Sequence, residues 1–575
     1  MDAVWVFARI ESLVPTGAGA TDMRVRLIAW VVVGLCAGFN SAWARIWSAG
    51  PDDFSAQIRR LAPGDVLLLQ SGVYRSTLTL RHLQGTRDAP IIIRGDAAHG
   101  RVVFTGSDVI KDWTHQDHDV FMHPLLIEPS LVFVDGQPLQ QMGGTVFDGY
   151  PLDADSPYQR LHAEDGGIWP GRRAIRSIDQ MPYESFYFDV QARRLYVRTH
   201  KDLDGATVEV SQRPHGLFAS DVSHVEIEDL SVEHANTSVT GRGGALVVWG
   251  DNVVLRRVAA NWNDLAGIQV GGDHNLVQDA QATHNGQLGV TARGRFNRFE
   301  RVVASENNWR GFNKWWEAGG FKFIGEQDAG LQDSQVVDCQ ALRNQGDGIW
   351  LDWKNARIEV ARNLAAYNTG FGIHYEVSSA GLIQDNLVIG NGQRGIYLSS
   401  SDHTRVLHNL VLGNGLEGIV SIWDRDRADE KGKRFASDGN VVEGNVIAYN
   451  HEGAVTLPAG ASASSDRNVY WGDGAASRFS VGFPSPTNEP NYGLRAWSER
   501  ADQDRQSWWV NKPMPSAWAT YLAQQSLTTA PLTALVVQSR GRPPADGLVV
   551  GSAWAELSST RPTADVGPHQ LGGSP

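Results

Sequence analysis

The stretches that decide the fold are GIWLD at residues 348–352, GIHYE at 372–376 and GIYLS at 395–399. In each, Ile and then Leu or Tyr occupy alternate positions and the remaining residues lie between them, as in a β-strand with one buried face. An Asn precedes each Gly by four residues. The same Asn-x-x-x-Gly spacing recurs from Asn263 to Asn414, at intervals of 22, 22, 37, 24, 23 and 23 residues. A fixed period of this length is the signature of a solenoid.

The content of each repeat identifies the kind of solenoid. Further short strands follow at 357–360 and 381–383, and no helical pattern separates them, which excludes leucine-rich, ankyrin and tetratricopeptide repeats. We predict an all-β fold, a right-handed parallel β-helix, in which equivalent residues of successive coils form ladders about 4.8 Å apart. Because Asn hydrogen-bonds readily at turns, four recurrent residues are assigned to turn stacking and not to catalysis: Asn344, Asn368, Asn391 and Asn414.

Outside the regular coils the pattern changes, and this divides the chain. Hairpin-like strands interrupt an early coil, and the period fades after Tyr470, where a solenoid needs an end cover. The predicted organisation is a signal peptide at 1–44, an N-terminal cap with the first coils at 45–109, an inserted small β module at 110–215, the main β-helix with a cleft at 216–475, and a C-terminal cap segment at 476–575.

The N-terminal segment has the pattern of an export signal. From Met23, the expected start, two Arg residues precede an apolar stretch that ends before Ala42-Trp43-Ala44, a small-x-small cleavage site. The stretch is shorter than the ~20 residues that span a bilayer. We therefore expect an exported protein, periplasmic or extracellular, with no membrane insertion.

Composition excludes other classes of function. The 575 residues include 51 Lys and Arg against 64 Asp and Glu, a formal charge of −13, whereas nucleic-acid binders need a basic surplus. Only Cys339 remains after the signal, so no intrachain disulfide is expected. Whether copies of the chain associate as a homo-oligomer is left open.

A pair of acids is the main candidate for catalysis. The fourth residue after the repeat Gly is Asp352 in one coil and Glu376 in the next. Strand spacing would bring their carboxyl groups within about 5 to 6 Å, close to the ~5–5.5 Å of retaining glycosidases. Two like charges at this distance should raise the pKa of one of them, as a general acid requires. Spacing alone leaves open which acid has which role.

Aromatic and basic residues near these acids suggest a sugar ligand. Sugar C–H groups pack well on aromatic rings, and the second residue after the repeat Gly is Trp350, His374 and Tyr397 in successive coils. An insertion just upstream adds further candidates for substrate contact. The remaining candidates are Arg293, Trp315, Trp316, Glu317 and Lys322. We expect the insertion at 311–319, and another at about 425–438, to wall a cleft.

The residues 348–353 (GIWLDW), Arg362-Asn363, Asn368 and Glu376-Val377 resemble the bacterial β-helix β-xylosidases. The resemblance covers about thirty residues, and the inserted β module also looks like theirs. It implies a glycoside hydrolase in which Asp352 attacks the anomeric carbon and Glu376 protonates the leaving oxygen and then activates water. The implied partner is an oligosaccharide or polysaccharide, with no cofactor.

Two other functions are compatible with the sequence. A polysaccharide lyase or uronate epimerase on this scaffold would use Lys322 as the base, although the net charge disfavours a polyanionic substrate. A noncatalytic carbohydrate-binding solenoid is the third function. Metal binding is disfavoured, because the candidate groups are loosely spaced or alternate with arginines: His115, His118, His123, Asp424, Asp426 and Asp429.

Overall fold

The structure is a computed structural model. It describes residues 44–116, 119–142, 177–237, 243–315, 317–325, 330–423, 427, 435–458, 462–472, 479–481 and 493–511, with isolated positions up to 523. All the described strands and helices lie in the unit Arg45–Pro575. The signal peptide predicted at 1–44 lies almost entirely outside these ranges, and the predictions for Trp316, His118, Asp424, Asp426 and Asp429 also concern residues outside them.

Three long parallel sheets wind around one core, as in a right-handed parallel β-helix. The first sheet begins with strands from the segment 45–109, in which the first coils were predicted. Its strands, in pairing order, are Ile46–Ala49, Val66–Leu69, Ile91–Gly95, Val225–Glu228, Val254–Arg256, Leu276–Gln278, Arg298–Glu300, Gln335–Val337, Glu359–Ala361, Leu382–Gln384, Arg405–Leu407, Val441–Glu443 and Ser464–Asp466.

The second sheet carries the deciding sequence stretches and is called the cleft sheet below. Its strands, in pairing order, are Leu78–Arg81, Leu217–Ser223, Gly244–Asp251, Ala266–Gly271, Leu288–Arg295, Gly319–Ile324, Asp347–Asp352, Ile373–Glu376, Ile396–Ser399, Glu417–Ile422, Gly453–Leu457 and Phe479–Val481, with Leu331–Gln332 added beside Leu288–Arg295.

The third sheet completes the coil. Its strands are Gly72–Tyr74, Val102–Thr105, Ser231–Glu233, Ala259–Asn261, Gln281–Thr283, Val303–Ser305, Gln340–Leu342, Leu364–Ala366, Leu387–Ile389, Leu410–Leu412, Val446–Ala448, Val469–Gly472 and Trp508–Asn511. Part of its outer face is apolar, and Trp508, Met514 and Leu522 near the C-terminus pack against that face.

Buried asparagines hold one turn of the coil in register. The Asn368 side chain donates to the Ala341 carbonyl and to Asn391 Oδ1, while its own Oδ1 accepts from the backbone and side-chain N–H groups of Asn344. The same bonds link the other members of the ladder: Asn263, Asn285, Asn307, Asn344, Asn391, Asn414 and Asn450. This confirms the predicted turn stacking and satisfies polar groups that burial would otherwise make costly.

A β-rich region between residues 107 and 211 forms two smaller, mainly antiparallel sheets with their own apolar core. One contains Ser107–Ile110, Val132–Val134, Gln137–Pro138 and Val208–Ser211, and the other Thr114–His115, Val120–Pro124, Gln140–Met142, Ser185–Asp189 and Arg194–Arg198. The helical segments described are Phe54–Ile58, the 3-10 turn Ile178–Gln180 and Leu494–Ala501. None of the described helices has the length and apolar character that crossing a membrane requires.

Candidate active site

The two acids singled out in the sequence are direct neighbours on adjacent strands. In the cleft sheet Asp352 pairs in register with Glu376, as the repeat spacing predicted. Both residues are largely buried, with 9% and 6% of their surface exposed. Burial raises the pKa of Asp352 above its ordinary value; the Lys322 ammonium opposes that rise, and the Glu376 carboxylate adds to it.

Lys322 is the close partner of Asp352. It lies on the preceding strand, in register with Trp350, and its Nζ is 3.1 Å from Asp352 Oδ2. The ammonium also lies 3.2 Å from the centre of the Trp350 ring. With 1% of its surface exposed, Lys322 faces an acid and an aromatic ring. The sequence analysis named Lys322 as a candidate for substrate contact, and the structure places its ammonium against an acid.

Glu376 is held from two sides. Its Oε2 accepts a hydrogen bond of 3.0 Å from Trp350 Nε1, and its Oε1 lies 2.8 Å from an Arg427 guanidinium nitrogen. Arg427 comes from the second predicted insertion, at about 425–438. These contacts fix the direction of a carboxyl group that lines an open cavity.

His374 lies on the same strand as Glu376 and has an acidic partner of its own. Its Nδ1 is 3.0 Å from Asp347 Oδ2, while Asp347 Oδ1 accepts from the backbone N–H of Phe371. Its Nε2, 3.7 Å from Glu376 Oε2, is buried without a hydrogen-bond partner among the described residues. A buried nitrogen in this position is available to a bound molecule.

The predicted aromatic ladder is present, but its rings cover one another. Trp350 stacks on His374 with centroids 5.1 Å apart, and His374 stacks on Tyr397 at 4.8 Å. Because Lys322 and His374 cover the two faces of the Trp350 ring, a sugar cannot stack on either face. Trp350 contributes its edge and its N–H group, and the half-buried Tyr397 stays closer to solvent.

A cavity of about 350 Å³ lies over this ladder and is called the main cavity below. Both predicted insertions contribute to its wall, with Lys314 and Trp315 from one and Arg427 from the other, and Trp423 lies just before the second insertion. The rest of the lining is Asp347, Trp350, Phe371, His374, Glu376, Arg394, Tyr397, Ser399 and Ile422. Glu376 therefore faces the main cavity directly. Asp352, on the strand that precedes that of Glu376, is not part of the cavity lining.

Two of the predicted substrate contacts lie elsewhere on the same sheet. Arg293 and Glu317 line a second, smaller cavity together with Trp249 and Gln269. Arg293 lies away from the aromatic ladder, because its strand is two coils before the strand of Asp352.

Sequence reasoning missed a third ladder that contributes to the main cavity. The residue just before the repeat Gly is Asp347, Phe371 and Arg394 in successive coils, and all three line the cavity. Arg394 pairs with Glu417, the next residue of this series, at 3.0 Å. The sequence feature that could have revealed this ladder is Asp347, which comes immediately before the repeat Gly of the coil that contains Asp352.

The described ranges contain no group of three or more His, Cys, Asp or Glu side chains arranged to hold a metal ion.

Comparisons with known proteins agree on the architecture. Residues 244–414 match the family described as right handed beta helix region. No functionally curated protein matches the sequence. A solved structure of XylC in complex with xylose is similar over 77% of this chain and 87% of its own, with 15% identity and a TM-score of 0.56. The fold is a right-handed parallel β-helix.

Two further solved structures are more distant. One, titled as a glycoside hydrolase, covers 76% of this chain and 95% of its own with 12% identity and a TM-score of 0.42. A mannuronic acid specific polysaccharide family 6 lyase from human gut microbiota covers 84% and 94% with 12% identity and a TM-score of 0.47. At these scores neither similarity bears on function.

Proposed function

We propose that this protein is a glycoside hydrolase that cleaves an oligosaccharide or polysaccharide with retention of configuration. The observation that carries the proposal is the in-register pairing of Asp352 with Glu376 beside the main cavity. Retaining glycosidases need two carboxyl groups separated by about one strand spacing. The resemblance to the β-helix β-xylosidases assigns the nucleophile to Asp352 and the acid/base to Glu376.

The chemistry proceeds in two displacements. Asp352 attacks the anomeric carbon while Glu376 gives its proton to the leaving oxygen, which forms a glycosyl ester on Asp352 and breaks the glycosidic bond. Glu376, now ionised, removes a proton from a water molecule that attacks the same carbon and breaks its bond to Asp352, which leaves as a carboxylate. The sugar leaves with its original configuration, and both carboxyl groups return to their first protonation states.

The surroundings of each acid suit its role. Burial raises the pKa of Asp352, and the Lys322 ammonium, 3.1 Å away, opposes that rise and so favours the ionised carboxylate that a nucleophile needs. Arg427 and the Trp350 N–H group orient Glu376 toward the cavity. The Nε2 of His374, which has no hydrogen-bond partner among the described residues, remains as a group that contacts a sugar hydroxyl, and Tyr397 lines the same cavity.

The rival function, elimination by a lyase or inversion at C5 by an epimerase with Lys322 as base, requires Lys322 to reach the substrate. Its ammonium points to Asp352 and Trp350 and is almost fully buried. This placement supports the hydrolase over the rival.

A substrate screen tests the proposal. The full chain is incubated with a panel of 4-nitrophenyl glycosides and with uronate polymers, while released reducing ends and the absorbance of unsaturated products are followed. We expect cleavage of an aryl glycoside, with proton NMR showing that the first product has the configuration of the substrate. Unsaturated products would replace the hydrolase with a lyase, and binding without any turnover would favour the noncatalytic solenoid.

The proposal extends to where the protein works. An N-terminal export signal ending at Ala44 would place the enzyme in the periplasm or outside the cell, where it would have access to polymeric sugars.

A further inference from the structure

The second cavity lies on the same sheet face as the main cavity, on the other side of Asp352. Ile324, which pairs in register with Asp352, lines the second cavity, and Glu376, which pairs with Asp352 on the opposite side, lines the main one. The nucleophile candidate is therefore flanked by two cavities along the axis of the β-helix.

The second cavity is built around an indole ring. Trp249, Gly271 and Arg293 are in register on three successive strands. A Cβ added at Gly271 would lie 2.0 Å from the Trp249 ring, so the ring occupies the space that a side chain there would fill. The Arg293 guanidinium lies over the same ring, 4.5 Å from its centre.

The polar groups at this cavity suit a sugar. Arg293 is exposed and forms no ion pair with any of the described residues, so its N–H groups are available to hydroxyl oxygens. Glu317 and Gln269, whose Oε1 accepts a hydrogen bond from the backbone N–H of Gly244, also line the cavity wall. At about 50 Å³ the cavity cannot enclose a sugar ring, so a ring would lie over it, against Trp249 and Arg293.

We infer that Trp249, Gln269, Arg293 and Glu317 form a second sugar subsite, which binds the unit next to the reacting sugar on the retained side of the cleaved bond. The assignment of this subsite to the retained side of the cleaved bond follows from the proposed function, on which this inference rests. Asp352 attacks the anomeric carbon from the side opposite to the leaving oxygen, which Glu376 protonates. The sugar units that extend past Asp352, away from Glu376, therefore belong to the part of the substrate that stays bound to Asp352.

This subsite sets the length of the preferred substrate. Arg293 lies about two strand spacings from Asp352, about 10 Å, within the reach of a disaccharide. The enzyme should therefore prefer a retained part of two sugar units over one, and release a disaccharide more readily than a monosaccharide.

Two substrates with the same leaving group test this. The full chain is assayed with 4-nitrophenyl β-xyloside and 4-nitrophenyl β-xylobioside, or with the corresponding pair of the sugar identified in the screen. We expect kcat/KM at least about tenfold higher for the disaccharide glycoside. Arg293→Met should remove most of this advantage, mainly through KM, and should affect the disaccharide glycoside far more than the monosaccharide glycoside; Trp249→Phe should act in the same direction.

Arg295→Met is the matched control, since Arg295 is an exposed arginine on the same strand, and it should change neither substrate. Equal rates for the two substrates in the wild type, or an equal loss on both in Arg293→Met, would overturn the subsite. If neither substrate is cleaved, the proposed function fails on its own. Calorimetric binding of xylose and xylobiose to the wild type and to Arg293→Met then decides the subsite, which requires tighter binding of xylobiose that depends on Arg293.

Discussion

The Lys322 ammonium lies 3.1 Å from Asp352 Oδ2 and 3.2 Å from the centre of the Trp350 ring, which itself donates a hydrogen bond to Glu376. One buried cation is thus joined to both acids of the candidate active site, directly to one and through an indole ring to the other. The protonation of Asp352 depends on this cation, and that dependence can be measured.

Replacing Lys322 with Met should move the pH dependence of the reaction. Burial raises the pKa of Asp352 and Lys322 opposes the rise, so without the ammonium the pKa rises further. Because Asp352 must be ionised to attack, the acid limb of kcat/KM should move to higher pH by about one to three pH units. Aryl glycoside hydrolysis measured across pH checks this. Lys111→Met, at an exposed lysine of the β-rich region, is the control, and an unmoved acid limb would be evidence against the coupling.

Glu376→Gln should slow the reaction according to the leaving group. A glycoside with a poor leaving group should lose roughly 10²- to 10⁴-fold in kcat/KM, because it depends on protonation. A dinitrophenyl glycoside, whose leaving group needs no proton, should lose much less in the first step. Azide, which needs no general base, should restore turnover and give a glycosyl azide of retained configuration. Equal losses on both substrates would contradict the acid/base role.

Asp347→Asn should weaken the reaction by disturbing His374. Asp347 accepts from His374 Nδ1, and this bond holds Nε2 toward the main cavity. Loss of a hydrogen bond to a charged group costs about 1.5–3 kcal/mol, so kcat/KM should fall roughly 10- to 150-fold. Steady-state kinetics checks the result against Asp338→Asn, which alters an Asp paired with Arg362 just beyond the ends of two strands of the first sheet. Wild-type kinetics in Asp347→Asn would remove His374 from the proposed contacts.

Asn368→Ala should destabilise the β-helix without touching the candidate active site. The substitution leaves buried partners of the ladder, including the Ala341 carbonyl and the Asn344 N–H groups, without hydrogen bonds. Each such group costs about 1–3 kcal/mol, so the free energy of unfolding should drop by at least about 3 kcal/mol. Urea unfolding followed by circular dichroism measures the drop. Gln137→Ala, at an exposed amide, should change little, and an unchanged midpoint for Asn368→Ala would refute the ladder's structural role.

The β-helix and the register of its acids were predictable because the repeat is local. A fixed spacing from the Gly fixes which residues of successive coils are neighbours, and this located Asp352 beside Glu376. The same logic could have found Asp347, one residue before the Gly. It was missed because only alternating positions after the Gly were followed.

Other features depend on packing that a repeat does not encode. The Trp350 ring was expected to face a ligand, but its faces are covered by Lys322 and His374, whose side chains lie along the ladder. Arg427 approaches Glu376 from an insertion, and no spacing rule fixes where an insertion folds. The placement of Arg293 at a second cavity likewise required the strand order of the whole sheet.

The most direct test of the central claim is to trap the glycosyl ester. The full chain is treated with the 2-deoxy-2-fluoro glycosyl fluoride of the sugar found in the screen, digested, and analysed by mass spectrometry. The account predicts one fluoroglycosyl group per chain, attached to Asp352 and absent from Asp352→Asn. Attachment to Glu376, or continued turnover with inverted product and no attachment, would contradict it.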